Sequence, residues 1–115
     1  MTIFVTGAAG FIGSNFVLNW LKHNDEKVVA LDKLTYSGNL KNLDSIISNE
    51  NFIFIKSDIC NQEKVGEILR AHQPRAILNF AAESHVDRSI DGPTEFINTN
   101  ILGTFRLLEE ARLYL

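Results

Sequence analysis

Three glycines, Gly7, Gly10 and Gly13, follow a short apolar run that opens at Thr2, and an acid, Asp32, comes 19 residues after the last of them. That arrangement suits a dinucleotide. The first glycine permits a tight turn, the second lets backbone approach a pyrophosphate, and the third lets the following helix pack closely on its strand. The phosphates would lie at a helix N-terminus, where unpaired N–H groups and the macrodipole favour an anion. Asp32, at the end of a second apolar run, would accept hydrogen bonds from the adenosine ribose hydroxyls and repel a 2′-phosphate, which favours NAD over NADP. Lys33 beside it weakens that preference. The same residues also fit an ordinary strand, turn and helix with a surface aspartate.

The elements that must position these residues alternate along the chain. Strand-like runs cover 2–6, 27–31, 52–55 and 76–80, and helical stretches lie around 14–22, 40–47 and 64–71. This is the βαβα pattern of an α/β protein with a Rossmann-type, doubly wound parallel sheet of about four strands in the order 3-2-1-4. The strands read as continuous apolar runs, as strands buried on both faces do. On the first helix Ile12, Phe16, Val17, Trp20 and Leu21 recur at helical spacing. Asn61 is placed to cap the third helical stretch, with Glu63 in its first turn, and His72-Gln73-Pro74 ends it. From Pro93 the chain reads as helical almost to its end, with Ile97, Ile101, Phe105 and Leu108 as one apolar stripe that Phe96, Leu102 and Leu107 widen. A helix apolar on more than one side is deeply buried or has a partner beyond its own sheet. The fourth strand, at an edge with few charges, needs cover from further chain, a second subunit or a partner unless Arg75 and Asn79 suffice.

At 115 residues, the chain is one domain or part of one, with 45% hydrophobic and 22% charged residues and a net charge of −3. Those values suit a globular chain and give no basic surface for nucleic acid, so phosphate recognition must be local. Apolar runs are too short to span a membrane, and the N-terminus enters a strand directly, which points to the cytoplasm. The lone Cys60 makes no internal disulfide, and His23, His72 and His85 are scattered without metal-ligand spacing.

Longer segments are more specific. Asp32-Lys33-Leu34-Thr35-Tyr36-Ser37-Gly38-Asn39, then Ser57-Asp58-Ile59, then Asn79-Phe80-Ala81-Ala82-Glu83-Ser84-His85-Val86-Asp87-Arg88-Ser89-Ile90, and finally Thr99-Asn100-Ile101-Leu102-Gly103-Thr104 together resemble the dTDP-glucose 4,6-dehydratase family, within the extended short-chain dehydrogenases/reductases. The resemblance covers the whole chain as roughly the first third of a family member, the N-terminal part of an NAD-binding domain without the substrate-binding region. It implies that Phe11 and Ile12 lie against the pyrophosphate, that Asp32, Lys33, Leu34 and Thr35 border the adenosine ribose, and that Asp58 and Ile59 flank adenine. Phe80, Ala81, Ala82, Glu83 and Ser84 would line the path to the nicotinamide ribose, with Thr99 also reaching the cofactor. Ser84 would in addition hydrogen-bond the nucleotide-sugar substrate, dTDP-glucose.

None of Ser84, His85 and Asp87 reads as catalytic, since His85 suits a loop brace and Asp87 an ion pair with Arg88. The family's Tyr-x-x-x-Lys pair is absent, because Tyr36 is followed four positions later by Leu40 and Tyr114 lies one residue from the end. The resemblance therefore implies a dehydratase seen as an inactive fragment, whose full-length relatives form homodimers through helices such as the last one here. A non-catalytic NAD-binding module, an interaction fragment, and another nucleotide-sugar epimerase or dehydratase are the alternatives.

Overall fold

The computed structural model describes residues 1–34, 40–81 and 104–114. In chain order these form β1 (Thr2–Thr6), α1 (Phe11–His23), β2 (Lys27–Asp32), a 3-10 turn (Leu40–Leu43), β3 (Phe52–Lys56), α2 (Gln62–His72), β4 (Ala76–Asn79) and α3 (Thr104–Tyr114). The four strands make one parallel sheet in the order β3-β2-β1-β4. Order and direction are those expected from the alternation of apolar runs.

Both faces of the sheet are covered, which is why the strands carry apolar residues at successive positions. Ile3, Val5, Val28 and Ala30 face one layer, with Ala8, Ala9 and Val17 of the first turn and helix, with Leu43 at the end of the 3-10 turn and with Ile46 after it. Phe4, Val29 and Leu31 face the other, with Val65, Ile68 and Leu69 of α2 and Leu107 of α3. Each fully buried side chain of this size contributes roughly 1.5–3 kcal/mol relative to exposure. The helices on opposite faces and the strand order, which runs from β1 outward through β2 to β3 and resumes on the other side at β4, create a switch point. In open sheets of this kind a crevice forms there, beyond the carboxyl ends of β1 and β4.

Two expectations are corrected. The stretch 40–47 forms only a 3-10 turn, followed by turns in which Asp44, Ile46 and Asn49 donate backbone hydrogen bonds three residues back, to Lys41, Leu43 and Ile46. Asn, Asp and Ser side chains crowd this segment and compete with the helical backbone for hydrogen bonds, as Asn49 does in accepting from the N–H of Asn51 at 2.8 Å. On α3 the residue turned inward is Leu107, while Phe105, Leu108 and Leu113 are exposed. Tyr114 fixes the far end of that helix by donating to the carbonyl of Pro74 at 3.2 Å. Pro93 and the residues from there to Gly103 lie outside the described residues, as do Ile97 and Ile101 of the expected stripe. The capping expectation holds: the Asn61 side chain accepts from the N–H of Lys64 at 3.1 Å, and Gln73, in the left-handed region at φ 46°, ends α2.

Gly7 ends β1 at φ 70°, and a Cβ there would overlap the backbone of Phe80 and Ala81. A Cβ on Gly13 would overlap the carbonyl of Gly7. No substitution at either position keeps β1, α1 and the end of β4 where they are. Gly7→Ala is expected to cost at least about 2 kcal/mol, combining left-handed strain with the overlap, and urea unfolding measures it; a loss under 0.5 kcal/mol (roughly an ordinary surface substitution) would contradict this packing.

At the opposite end of the sheet Arg75 grips Glu26 with two hydrogen bonds, Nε to Oε2 at 2.6 Å and Nη2 to Oε1 at 2.7 Å, tying the entries to β4 and β2 across β1. Those bonds outweigh partial desolvation and hold the Glu26 carboxyl below its ordinary value of 4.5. A carboxyl whose folded value is lowered contributes stability that is present above the ordinary value and lost as pH falls through the folded one. Urea midpoints of the parent and Glu26→Gln should therefore differ at pH 7 and converge as pH falls below 4.5; a gap constant with pH would refute the linkage.

Candidate functional site

The turn after β1 is held by its own backbone. Gly7 N–H donates to the carbonyl of Leu31 at 2.8 Å, Gly10 N–H to that of Gly7 at 3.3 Å, and Ser14 N–H to that of Gly10 at 2.9 Å. Gly10 is the N-cap of α1, at φ −74° and ψ 174°, a conformation open to any residue. Its backbone does not require glycine. No side chain caps this helix, and its first turn has no acid. The first-turn N–H groups have no intrahelical partner and add to the positive end of the macrodipole. Beside them Phe11 and Ile12 are 79% and 68% exposed, an apolar wall around a row of donors. Such a terminus accepts a phosphate.

Asp32 lies across from this turn at the carboxyl end of β2 and is only 8% exposed. Its Oδ2 accepts from the N–H of Ala9 at 2.9 Å and its Oδ1 from the N–H of Leu34 at 2.7 Å. The second bond holds Leu34 at φ 59°, a left-handed conformation that costs a non-glycine residue of order 1–3 kcal/mol. A carboxylate has about four lone-pair sites, so two remain for a ligand. The connection after β3 is stitched to the same place: Ser57 N–H donates to the carbonyl of Asp32 at 3.1 Å, and Lys33 Nζ lies 3.4 Å from Asp58 Oδ2. Asp58 Oδ1 accepts from the N–H of Cys60 at 2.9 Å. Ile59 turns its side chain into the core with Phe4, Val29 and Leu31. Burial, and then the nearby Asp58 charge, push the Cys60 thiol up, so it stays protonated near neutral pH and is no nucleophile.

At the end of β4, Asn79 Oδ1 accepts from the hydroxyl of buried Thr6 and from the N–H of Ala81. Phe80 N–H donates to the carbonyl of Thr6 at 2.9 Å, and its ring lies 5.5 Å from that of Phe16. Phe80 and Ala81 thus sit at the switch point against Gly7. Hydrogen bonds and packing thus connect Gly7, Gly10, Gly13, Asp32, Lys33, Leu34 and Asp58 beyond the carboxyl ends of β1 and β2, with Phe11 and Ile12 exposed at the start of α1 and Phe80 and Ala81 against Gly7. Thr35, Ala82, Glu83, Ser84 and Thr99 lie outside the described residues, as do His85, Asp87 and Arg88.

Sequence reasoning gave no role in the site to Asn42, whose amide donates to the carbonyl of Ala9 at 3.0 Å, or to the side chain of Asn79 as a brace. Asn79 ends a parallel strand, where a side chain pointing beyond the sheet is a usable signal; Asn42 lies in a stretch that reads as helix. Among the described residues no group of three or more His, Cys, Asp or Glu is placed to hold a metal ion, and no helix is long and apolar enough to cross a membrane.

The family model described as GDP-mannose 4,6 dehydratase matches residues 4–115. A dTDP-glucose 4,6-dehydratase of Escherichia coli is 54% identical over 114 residues, which cover 99% of this chain and 32% of the relative. The chain thus spans about a third of the length of the curated relatives it matches. Among solved structures, dTDP-glucose 4,6-dehydratase from Bacillus anthracis str. Ames in complex with NAD aligns with a TM-score of 0.88 at 42% identity, over 99% of this chain and 34% of that one. The enzyme of the same description from Streptomyces venezuelae, with NAD bound, aligns with a TM-score of 0.90 at 43% identity, over 96% of this chain and 35% of that one. Joined to the parallel sheet ordered β3-β2-β1-β4 and the glycine turn at its switch point, the match over nearly every residue means that the chain belongs to the GDP-mannose 4,6 dehydratase family.

Proposed function

We propose that this chain is the N-terminal, NAD-binding part of a dTDP-glucose 4,6-dehydratase that acts in the cytoplasm as a homodimer. The observation that carries the reading is the buried Asp32 carboxylate, fixed by two backbone N–H groups beside the uncapped N-terminus of α1. The residues fit the cofactor. Backbone N–H groups of Phe11 and Ile12 receive the pyrophosphate, and the remaining lone pairs of Asp32 accept the adenosine ribose hydroxyls. Its charge disfavours a 2′-phosphate, and Lys33, drawn toward Asp58, is turned from offering that phosphate a partner. Asp58 accepts from the adenine amine, Ile59 backs it from the core, and Leu34 and Thr35 close the ribose edge.

On the other side Phe80, Ala81, Ala82, Glu83, Ser84 and Thr99 border the nicotinamide ribose, and Ser84 hydrogen-bonds the sugar nucleotide. When bound, NAD supplies the hydride acceptor at the sugar's C4 and the donor at C6, with net loss of water across C5 and C6 to give a 4-keto-6-deoxy sugar nucleotide. This chain's residues bind and orient the cofactor. The exposed Phe105, Leu108 and Leu113 of α3 belong to the subunit interface of the whole protein.

A ligand that binds only the folded state stabilises it by RT ln(1 + [L]/Kd), about 2.7 kcal/mol at 100 Kd, so saturating NAD should raise the thermal midpoint on the order of 10 °C. A cooperative transition unmoved by NAD would overturn the reading. Asp32→Asn should weaken NAD about tenfold while leaving NADP nearly unchanged, since one charged acceptor is lost for the first and a repulsion for the second; equal weakening of both, by calorimetry, would contradict the role of the charge. Incubated with dTDP-glucose and NAD, the 115-residue chain should form no 4-keto-6-deoxy product, and product formation would refute its dependence on absent acid/base groups.

A further inference from the structure

Ala9 is gripped on both sides. Its N–H donates to Asp32 Oδ2 at 2.9 Å, and its carbonyl accepts from Asn42 Nδ2 at 3.0 Å. The peptide between Ala9 and Gly10 has one further tie, the long 3.3 Å bond from Gly10 N–H to the carbonyl of Gly7. Gly10 brings no side chain and the widest backbone freedom. The orientation of that peptide, and with it the direction of the N–H groups that open α1, therefore depends on what holds the Ala9 carbonyl.

Asn42 is exposed, yet it stands on a firm base. Its neighbour Leu43 is fully buried, and Leu43 and Ile46 pack in the same cluster as Ala8, Ala9 and Val17. Leu43, which ends the 3-10 turn, and Ile46 after it thus pack under the glycine turn, and Asn42 places one amide on the carbonyl above. We propose that Asn42 is a positioning residue for the phosphate-binding turn, setting affinity for the pyrophosphate half of a dinucleotide while leaving the adenosine half untouched; this rests on the dinucleotide reading above. Asp32 serves the ribose and the turn together, whereas Asn42 serves the turn alone. It also links the segment after β2 to the start of α1, so the two walls of the crevice are fastened before a ligand arrives.

The test replaces Asn42 with an apolar residue of similar size, Asn42→Leu, and with Asn42→Ala, in the 115-residue chain. Hydrogen exchange without ligand should quicken several-fold at the Gly10 amide, with Val5 and Ala30 in the sheet unchanged. The dissociation constant for NAD should rise roughly 3- to 10-fold, the range for one neutral hydrogen bond, and that for adenosine by less than about twofold. Unchanged exchange at Gly10, or acceleration of the sheet amides by the same factor, would overturn the proposal, as would equal weakening of NAD and adenosine. If the unsubstituted chain fails to bind NAD, the dinucleotide reading falls and the role of Asn42 with it, an outcome separable because it precedes any substitution.

Discussion

Backbone meets backbone at Gly7, and the rest of the molecule is arranged around that contact. The strand β1 ends there in a left-handed turn, the residues after β4 lie where a Cβ would project, and Gly13 brings α1 against the carbonyl of Gly7. With no side chain between them, the central strand, its helix and the strand across the switch point meet at the smallest separation a protein permits. The crevice follows from this convergence.

Polar groups then fix what the packing leaves adjustable. Asp32 spends two lone pairs on the N–H groups of Ala9 and Leu34, and Asn42 and Asn79 hold carbonyl and amide groups of neighbouring connections. The asparagine bonds are ordinary, each worth about 1 kcal/mol net, and those to the Asp32 carboxylate are charge-assisted, roughly 1.5–3 kcal/mol each. Their value lies in direction. A site that recognises a charged, extended ligand gains most when its donors are oriented beforehand, because binding then orders fewer groups. The strain at Leu34 belongs to the same economy, sustained by the charge-assisted bond its N–H donates to the Asp32 carboxylate.

The sheet was legible because strands covered on both faces must be apolar throughout, and a parallel sheet with helices between its strands leaves few orders to choose from. Lys27–Asp32 and Phe52–Lys56 each run one residue past the apolar run, since Asp32 and Lys56 still pair in register across β2 and β3. The fourth strand stops at Asn79 instead of Phe80: Phe80 N–H still bonds the carbonyl of Thr6, and the Asn79 side chain takes over the N–H after that, of Ala81. The 3-10 turn was not legible, because Leu43 and Ile46 keep an apolar spacing that a helix would share. On α3, periodicity located the apolar residues and could not tell which face a neighbouring helix would take; contact with α2 and the sheet selects Leu107. The glycines and Asp32 marked the candidate site, while Asn42 and Asn79, whose side chains brace the connections beside it, are single residues without a pattern.

The central claim is that phosphate charge is received by the turn from Gly7 to Gly13 under the hold of Asp32. Amide chemical shifts followed during titration of the isotopically labelled chain with NAD test this most directly. The account predicts saturable shifts that are largest at Gly10, Phe11, Ile12 and Leu34, with the far ends of the strands, at Lys27 and Ala76, unmoved. Saturable shifts centred elsewhere, on α3 for example, with the glycine turn silent, would contradict it.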